Sequence, residues 1–411
     1  MIAADGQANL RPGTGRGARR PVVLVYCHHS VGLGHLVRSL AIAQALADRF
    51  HVVLASGGPV PPGLVTPAGV DVVPLAPVGA DESGPLTSLD PLLTVEQAWR
   101  ARRELLMALA RDLQPAAVIV ELFPFGRRKF AAEIIALLEA VRSRRSDIPA
   151  VCSVRDLLVT GHQDKQRHDD ETAERLNRYF DTVIVHADPA FVRLEQTFTP
   201  RLNLGVSVEY SGFVCSRSDT PTIALRQRTQ IVVSAGGGKV GAPLLRAAVA
   251  AHRSHLGPRG FTTRLVTGPF VPVDVYTELE EAAKDDPSLA LQRFVPDLCE
   301  LMAGSAVSVS QCGYNTAIDI LRSGVPAVVV PFDGVQETEQ SERAERLAAL
   351  GVVAVVPVAQ LSGRALATAI LDRINCPPAN ARLRLDGASV TAGIVEDLVQ
   401  RMSSDAGLVA S

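Results

Sequence analysis

Short apolar, β-branched runs alternate with longer helical patterns along almost the whole chain, and this alternation constrains the fold more than any other feature. The first run, VVLVYC at residues 22–27, is apolar throughout, as expected of a strand that is buried on both faces. Strands that alternate with helices form parallel sheets that are covered by those helices. The sequence therefore predicts an α/β fold built on parallel sheets.

The alternation falls into two blocks. Further strands are predicted in the first block at residues 51–55, 70–75, 117–122, 150–154 and 182–186, and in the second at 230–234, 263–266, 306–310, 327–330 and 352–356. The chain has 411 residues, which is too many for one core at a typical domain size of about 150 residues. We predict two Rossmann-like domains, at 21–212 and 213–411, that follow a disordered tail at 1–20.

Composition excludes several classes of protein. Hydrophobic residues make up 47% of the chain and charged residues 20%, which indicates a globular protein. The formal net charge of -2 offers no general attraction for nucleic acid. Six cysteines occur singly, without the paired spacing of zinc or redox sites, and this favours a cytoplasmic setting. No run reaches the roughly 18 apolar residues of a membrane span, so association with a membrane surface is the only membrane contact left open.

The first predicted strand ends in a glycine-containing loop, HHSVGLGH at residues 28–35, which leads into a helical pattern at 36–47. Unpaired backbone N–H groups and the helix dipole make such a turn a natural anion site, with Gly34 as a candidate contact. A turn without a ligand is the alternative. The third glycine of the dinucleotide pattern is missing, so no cofactor is predicted. His28 and His29 either line the cleft or pack at the strand end.

His35 lies beside the carboxyl end of the first strand, where open α/β sheets bind their ligands. An imidazole there can take a proton from an acceptor hydroxyl or from water. Glu121, at the end of a later strand, can orient the imidazole, although a surface glutamate fits equally well. Arg38 can bind a substrate anion or lie exposed on its helix. We predict His35 and Glu121 as the catalytic pair.

Three loops in the second block each follow a predicted strand and precede a helical segment. The first is the glycine loop Gly236, Gly237 and Gly238, whose backbone amides can approach a diphosphate closely. The second offers Gly313, Asn315 and Thr316 as donors at a helix start. Farther along, Asp319 can accept both hydroxyls of a ribose, with a solvated helix face as the alternative. Glu339 with Gln340 can bind a sugar, with charges that only complement the helix dipole as the alternative.

Two segments carry a resemblance to a known family: GLGHLVRSLAIAQAL at 32–46 and RFVPDLCELMAGSAVSVSQCGYNTAIDILRSGVPAVVVPF at 293–332. They resemble the GT-B glycosyltransferases, in particular family 28, the branch that contains the peptidoglycan lipid-precursor N-acetylglucosaminyltransferases. The resemblance implies two facing Rossmann-like domains, with the acceptor mainly on the first and the donor mainly on the second. It places the following residues at the donor: Gly236, Gly237, Gly238, Gly313, Tyr314, Asn315 and Thr316 at the diphosphate, Asp319 at the ribose, Glu339 and Gln340 at the sugar, and Phe294 and Val295 near the base.

The activity that this resemblance implies is transfer of a hexosyl or N-acetylhexosaminyl group, with inversion, from a nucleoside-diphosphate sugar to an unidentified acceptor hydroxyl. A UDP-sugar is favoured and a TDP-sugar comes next. The chain has no Asp-x-Asp triplet to hold a metal ion at the diphosphate, so a metal-independent reaction is predicted. The first segment also resembles the nucleotide-sugar hydrolases of pseudaminic-acid synthesis. Hydrolysis and non-catalytic binding of a nucleotide sugar are therefore the alternatives.

Overall fold

The computed structural model describes residues 20–29, 34–59, 66–79, 85–158, 164–215, 227–332, 338–374, 376 and 381–409. Three parts of the sequence predictions lie outside these residues: positions 1–19 of the tail, positions 30–33 of the first glycine loop, and positions 333–337 of the loop before Thr338.

The elements follow the predicted alternation closely. The first half contains strands β1 (Val22–Cys27), β2 (His51–Ser56), β3 (Val70–Pro74), β4 (Val78–Gly79), β5 (Thr87–Ser88), β6 (Ala117–Glu121), β7 (Ala150–Arg155), β8 (Thr182–His186) and β9 (Ser207–Tyr210), and helices α1 (Gly34–Leu46), α2 (Val95–Leu113), α3 (Ala131–Arg142) and α4 (Lys165–Tyr179). The second half contains strands β10 (Gln227–Ser234), β11 (Thr262–Val266), β12 (Leu289–Gln292), β13 (Ser305–Ser310), β14 (Ala327–Val329) and β15 (Val353–Val355), and helices α5 (Ala242–Ala251), α6 (Val273–Ala283), α7 (Leu298–Ala303), α8 (Tyr314–Ser323), α9 (Glu339–Ala349), α10 (Gly363–Arg373) and α11 (Gly387–Val409).

Most of these strands form two large parallel sheets, which confirms the predicted fold class. The first sheet has the order β3-β2-β1-β6-β7-β8-β9 and the second β12-β11-β10-β13-β14-β15. In each sheet the chain builds outward on one side of its first strand and then crosses to the other side. Strand order therefore reverses between β1 and β6, and again between β10 and β13. Ligands of open α/β sheets bind at the carboxyl ends of strands that flank such a reversal.

Helix α2 shows why some boundaries can be read from the sequence. The hydroxyl of Thr94 accepts a hydrogen bond from the backbone N–H of Gln97, and the Gln97 side chain accepts one from the backbone N–H of Thr94. This capping box satisfies two of the N–H groups that a helix start leaves unpaired. At the other end Gln114 adopts a left-handed conformation and stops the helix. Apolar residues recur at helical spacing over 95–113 in the sequence, which predicts this helix with the bounds that the structure gives.

The last helix returns to the first domain. Val395 and Leu398 of α11 belong to the same buried cluster as Leu36 of α1, so α11 packs against α1. All of residues 213–411 were predicted to lie in the second domain, whereas in the structure the final helix packs on the first domain. The chain thus crosses between the domains twice, and the crossings run side by side, with Val214 and Asp386 in an antiparallel bridge. Among the residues described, none of the helices has both the length and the apolar character needed to cross a bilayer.

Candidate active site

The two reversals of strand order place the predicted loops opposite each other. In the first sheet Tyr26 pairs with Val120, so the ends of β1 and β6 lie side by side and Glu121 emerges next to the loop after β1. In the second sheet the glycine loop follows β10 and helix α8 follows β13. The Nδ2 of Asn315 donates to the backbone oxygen of Gly34 at 3.4 Å, which joins the starts of α8 and α1 across the domains.

The structure brings His35 and Glu121 into direct contact. The Nδ1 of His35 lies 2.6 Å from Oε1 of Glu121, although 86 positions separate the two residues. Arg38, one turn after His35 on α1, donates through a terminal nitrogen to the same carboxylate oxygen. Arg38 and Glu121 are almost fully buried, with 2% and 1% of their side chains exposed, whereas His35 retains 16%. The carboxylate is enclosed by protein and the imidazole reaches the cleft.

The environment of this pair sets its protonation state. Burial lowers the pKa of His35 to about 3, although the Glu121 carboxylate acts in the opposite direction. Burial would raise the pKa of Glu121, but His35 and Arg38 outweigh it and hold that pKa well below its ordinary value. At neutral pH the imidazole is therefore neutral and the carboxylate is ionised. With Nδ1–H donating to Glu121, Nε2 keeps the lone pair that a general base needs.

The neighbouring histidines lie in packed surroundings. His28 and His29 are buried, and burial lowers the pKa of His28 to about 2 and that of His29 to about 4. The ring of His28 packs against Phe130 with 3.7 Å between ring centroids. The Nε2 of His29 lies 3.3 Å from Oγ of Ser56. Of the two roles considered from the sequence, these contacts favour packing at the strand end.

The glycine loop after β10 owes its shape to left-handed backbone. Gly236 has φ 59° and Gly238 has φ 92°, a region that glycine enters far more readily than other residues. A Cβ on Gly238 would collide with the backbone oxygen of Thr267, whereas a Cβ on Gly236 would meet no atom within 4 Å. Gly236 therefore faces open space, and Gly238 is locked into the loop that follows β11.

Gly268, which was not predicted from the sequence, packs against the glycine loop. It has φ 86°, and a Cβ there would overlap the backbone of Gly236 and Gly237. The N–H of Phe270 donates to the backbone oxygen of Gly237 at 2.9 Å, so the two loops interlock. The signal was present as Thr267-Gly268-Pro269 directly after a strand. A conformation-breaking Gly-Pro at the carboxyl end of a strand indicates a specialised turn.

Helix α8 begins with an N-cap that leaves its first N–H groups without a side-chain partner. Gly313 occupies the cap position and has no side chain to bond them, and a Cβ there would meet no atom within 4 Å. Asn315 and Thr316 follow in the first turn. Exposed N–H groups and the positive end of the helix dipole together favour an anion at this point. Tyr314 differs, because its side chain is buried between the domains and only its backbone belongs to this turn.

Asp319 faces a small cavity between α1 and α8. The cavity measures about 50 Å³, and its other lining residues are Val37, Arg38, Val214, Asn315 and Ile318. Burial raises the pKa of Asp319 to about 7, with Arg322 acting against it and Asp297 adding to it. A water molecule occupies about 30 Å³ of liquid, so this cavity is far too small for a nucleoside. A ribose therefore does not fit into this cavity between α1 and α8.

Glu339 and Gln340 already have protein partners. The Oε1 of Gln340 accepts from the backbone N–H groups of Cys312 and Phe332, at 3.1 and 3.2 Å, and so ties together the loops after β13 and β14. Glu339 forms an ion pair with Arg155 of the first domain. Phe294 is 67% exposed in the loop after β12, while Val295 is partly buried against the core.

A buried ion pair between the domains was not found from the sequence. Arg343 on α9 binds both carboxylate oxygens of Asp156, each at 2.7 Å, and donates to the backbone oxygen of Cys312 at 2.8 Å. Both charged side chains are essentially inaccessible to solvent. Two isolated charged residues 187 positions apart give no local pattern, so this contact follows only from how the domains dock.

Across the described part of the chain, no group of three or more His, Cys, Asp or Glu side chains is arranged to hold a metal ion. The groups gathered at the two carboxyl edges are a neutral imidazole backed by a carboxylate, backbone N–H groups and a helix start. This set can remove a proton from a hydroxyl and stabilise negative charge on a phosphate.

Comparison with known proteins gives a family match in the second domain. Residues 232–386 match the model of the glycosyltransferase family 28 C-terminal domain. A UDP-N-acetylglucosamine--N-acetylmuramyl-(pentapeptide) pyrophosphoryl-undecaprenol N-acetylglucosamine transferase of Lactococcus lactis subsp. cremoris (strain MG1363) is 29% identical over 166 residues, 40% of this chain and 45% of the relative. The enzyme of that name from Bacillus licheniformis is 28% identical over 204 residues, 48% and 54%. The chain thus spans about half the length of these curated relatives.

Solved structures resemble nearly the whole chain. A UDP-glucosyltransferase from Polygonum tinctorium has a TM-score of 0.61 at 17% identity and covers 94% of this chain and 100% of its own. The calicheamicin glycosyltransferase CalG4 gives 0.55 at 19%, with 94% of each chain covered. Acinetobacter baumannii MurG gives 0.54 at 14%, with 93% and 99% covered. At these identities the similarity concerns the fold, and it confirms the predicted architecture of two facing Rossmann-like domains.

Proposed function

We propose that this chain, a GT-B protein with a family 28 glycosyltransferase C-terminal domain, transfers a sugar from a nucleoside diphosphate to an acceptor hydroxyl. One observation carries the proposal: the neutral imidazole of His35, held by Glu121, follows directly after Gly34, whose backbone oxygen accepts from Asn315 at the start of α8 across the domain boundary. A base on one side and a phosphate site on the other are the two parts that such a transfer needs.

The acceptor hydroxyl loses its proton to Nε2 of His35 as its oxygen attacks the anomeric carbon. Glu121 remains ionised and stabilises the imidazolium that forms, as the acidic member of a catalytic triad does. The bond to the diphosphate breaks on the opposite side of the sugar. We propose inversion at the anomeric carbon, through direct attack opposite the leaving group, because the resemblance to the family 28 enzymes implies it.

Negative charge on the departing diphosphate is stabilised by backbone. Within the glycine loop, the N–H of Gly236 donates to Oγ of Ser234 at 3.4 Å and that of Gly238 to the backbone oxygen of Ala235 at 3.0 Å, which fixes the loop. The N–H of Gly237 and those of the first turn of α8 are thus in place before the substrate arrives and need little reorganisation during the reaction. In many enzymes a divalent metal ion performs this task. We propose that the reaction here is metal-independent, with these groups in the place of the metal.

The donor is assigned to the second domain. Asp319 binds the ribose, Phe294 and Val295 lie at the base, and Glu339 and Gln340 reach the sugar. A UDP-sugar is the preferred donor because the curated relatives are named for UDP-N-acetylglucosamine, and a TDP-sugar comes second. The transferred group is a hexosyl or N-acetylhexosaminyl unit.

The acceptor is assigned to the first domain, beside His35. The relatives are named for an acceptor on pyrophosphoryl-undecaprenol, and a lipid-borne acceptor of that kind would bring this chain to a membrane surface. We propose a cytoplasmic reaction, since all six cysteines are free.

The experiment follows nucleoside diphosphate release from UDP- and TDP-sugars, with and without acceptor hydroxyl compounds. We expect release that depends on an acceptor and a product that carries the sugar. Equal release without any acceptor would instead establish hydrolysis. Donor binding without release under any condition would establish a binding protein and contradict the proposal.

A further inference from the structure

Tyr314 is the first residue of α8, yet its side chain leaves its own domain. Its hydroxyl donates to the backbone oxygen of His186 at 2.9 Å and accepts from the backbone N–H of Val214 at 3.0 Å. His186 ends a strand of the first sheet, and Val214 lies where the chain crosses between the domains. The ring is thereby fixed in the first domain while the backbone starts the helix that we assign to the donor diphosphate.

The ring of Tyr314 lies against Arg38. The guanidinium carbon of Arg38 is 5.1 Å from the ring centroid, within the distance at which a cation is attracted to the face of an aromatic ring. Arg38 is buried and donates through a terminal nitrogen to Oε1 of Glu121, and the same nitrogen lies 3.4 Å from Nδ1 of His35. Within the part of the chain that the structure describes, the Nε of Arg38 has no hydrogen-bond partner. Burying a cation that has few hydrogen bonds costs free energy unless other groups stabilise the charge, and the ring of Tyr314 is such a group.

We propose that Tyr314 is a positioning residue for the base in the opposite domain: its ring holds Arg38 on the Glu121 carboxylate and thereby keeps Glu121 on Nδ1 of His35. The start of the donor helix and the assembly of the base are then linked by one side chain. The catalytic base of the first domain is therefore fully assembled when α8 is docked against that domain.

Docking of the domains does not itself require this ring. The bidentate pair of Arg343 and Asp156 already joins the domains. The guanidinium carbon of Arg343 also lies 6.0 Å from the ring centroid of Tyr314. Phe213 packs on Tyr314 with 6.0 Å between ring centroids. Phe213 therefore offers a matched control, since it supports the same ring without a described contact to Arg38.

The charged groups around His35 fix the sign of the expected effect. They are Glu121 on β6, Arg38 on α1 and Arg127 in the turn after β6, while His28 in the loop after β1 is neutral. Glu121 raises the pKa of His35, and Arg38 lowers it by a smaller amount. If Arg38 moves away and Glu121 leaves Nδ1 with it, His35 gains a proton at a lower pH than before, and the acid limb of the rate profile moves to lower pH.

The test compares Tyr314→Leu, which removes the aromatic face, with Tyr314→Phe, which keeps it and loses the two hydroxyl bonds. The imidazole of His35 is titrated by NMR in the full chain without substrate. Because the chain has nine histidines, the signal is assigned by its loss in His35→Gln. We expect protonation of His35 to begin at a lower pH in Tyr314→Leu and to be unchanged in Tyr314→Phe. Phe213→Leu should lower the melting temperature without moving the titration.

Turnover gives the second measurement, and it rests on the proposed function. In Tyr314→Leu the turnover of bound donor should fall about 10- to 100-fold, as expected when a catalytic group is displaced by about an ångström, while donor affinity changes less than about threefold. Should Tyr314→Leu fail to fold, Tyr314→Met keeps the bulk of the side chain without its aromatic face.

The two measurements separate the two hypotheses. If the titration of His35 moves in Tyr314→Leu while the wild-type chain transfers no sugar, the role of Tyr314 is supported and the proposed function is removed. An unmoved titration in Tyr314→Leu, or an equal shift in Tyr314→Phe, overturns the role of Tyr314 and leaves the transfer reaction standing.

Discussion

The two carboxyl edges of the molecule supply their chemistry in different ways. At the first sheet three side chains, those of His35, Arg38 and Glu121, are bonded to one another and largely buried. At the second sheet the groups belong to the backbone of a glycine loop and of a helix start, and a Cβ at Gly236 or Gly313 would meet no described atom within 4 Å. One edge is a side-chain cluster assembled in advance, and the other is an open backbone surface. Substitutions should therefore damage chemistry at the first edge and binding at the second.

His35→Ala should have the largest effect and gives the clearest division between the edges. General-base catalysis contributes about 100- to 10,000-fold, and turnover of bound donor should fall on that scale. Donor affinity should remain nearly unchanged, because the groups that we propose for donor binding lie in the second domain. His51→Ala is the matched control, since His51 is exposed and paired with Asp71 on the surface. If donor affinity collapses in His35→Ala while turnover of bound donor is preserved, His35 is a binding residue, and the proposed division between chemistry at the first edge and binding at the second is wrong.

Gly238→Ala probes the second edge. A left-handed residue other than glycine costs about 1–2 kcal/mol, and a Cβ here would also collide with the backbone oxygen of Thr267. We expect donor affinity to fall roughly tenfold or more through displaced N–H groups, with a smaller change in the turnover of donor that does bind. Isothermal titration and single-turnover kinetics measure the two quantities.

Gly260→Ala is the control for backbone strain alone, because Gly260 is also left-handed, with φ 82°, but has no atom within 4 Å of a Cβ. It should lower the melting temperature and leave donor affinity intact. Equal losses of affinity in both variants would show that general destabilisation, rather than the shape of the donor loop, is being measured.

Asp319→Ala should weaken donor binding by roughly tenfold, the value of one charge-assisted hydrogen bond. The pH dependence sharpens this prediction. Burial raises the pKa of Asp319 to about 7, so the carboxylate that accepts ribose hydroxyls is present above that pH and is lost below it. Donor affinity in the wild-type chain should therefore rise as pH increases through about 7. Asp319→Asn should remove the rise, and a wild-type affinity that is flat with pH would exclude the ribose contact.

Chelation should have the smallest effect. If backbone N–H groups stabilise the diphosphate, transfer measured after exhaustive treatment with EDTA should match the untreated rate. A rate that is lost with EDTA and restored by magnesium or manganese would show that the second edge needs a metal ion. Backbone N–H groups alone would then not stabilise the diphosphate.

Much of this molecule follows from local sequence patterns. The buried strands of both sheets were predicted within a few residues, because strands covered on both faces are continuous apolar runs. The edge strands β9 and β12 were missed. The residues of β9, SVEY, are half exposed, and β12 has only four residues, LALQ, so neither gives the apolar run of a central strand.

The candidate site divides in the same way. His35 and Glu121 could be proposed as a pair because both follow strands whose carboxyl ends meet at one edge. The contacts of Tyr314 with Arg38 and of Arg343 with Asp156 could not, since they depend on how two domains dock. The placement of α11 on α1 has the same origin, because the apolar stripe of a helix does not specify which sheet it covers.

The most direct test of the base at the first edge is a double-mutant cycle on His35 and Glu121, read as turnover of bound donor. If Glu121 acts only by orienting and stabilising His35, Glu121→Gln should cost less than His35→Ala. The double variant should then lose little beyond His35→Ala alone, because the two residues act as one unit. Independent losses that multiply in the double variant would contradict the pair, even though the two side chains lie 2.6 Å apart.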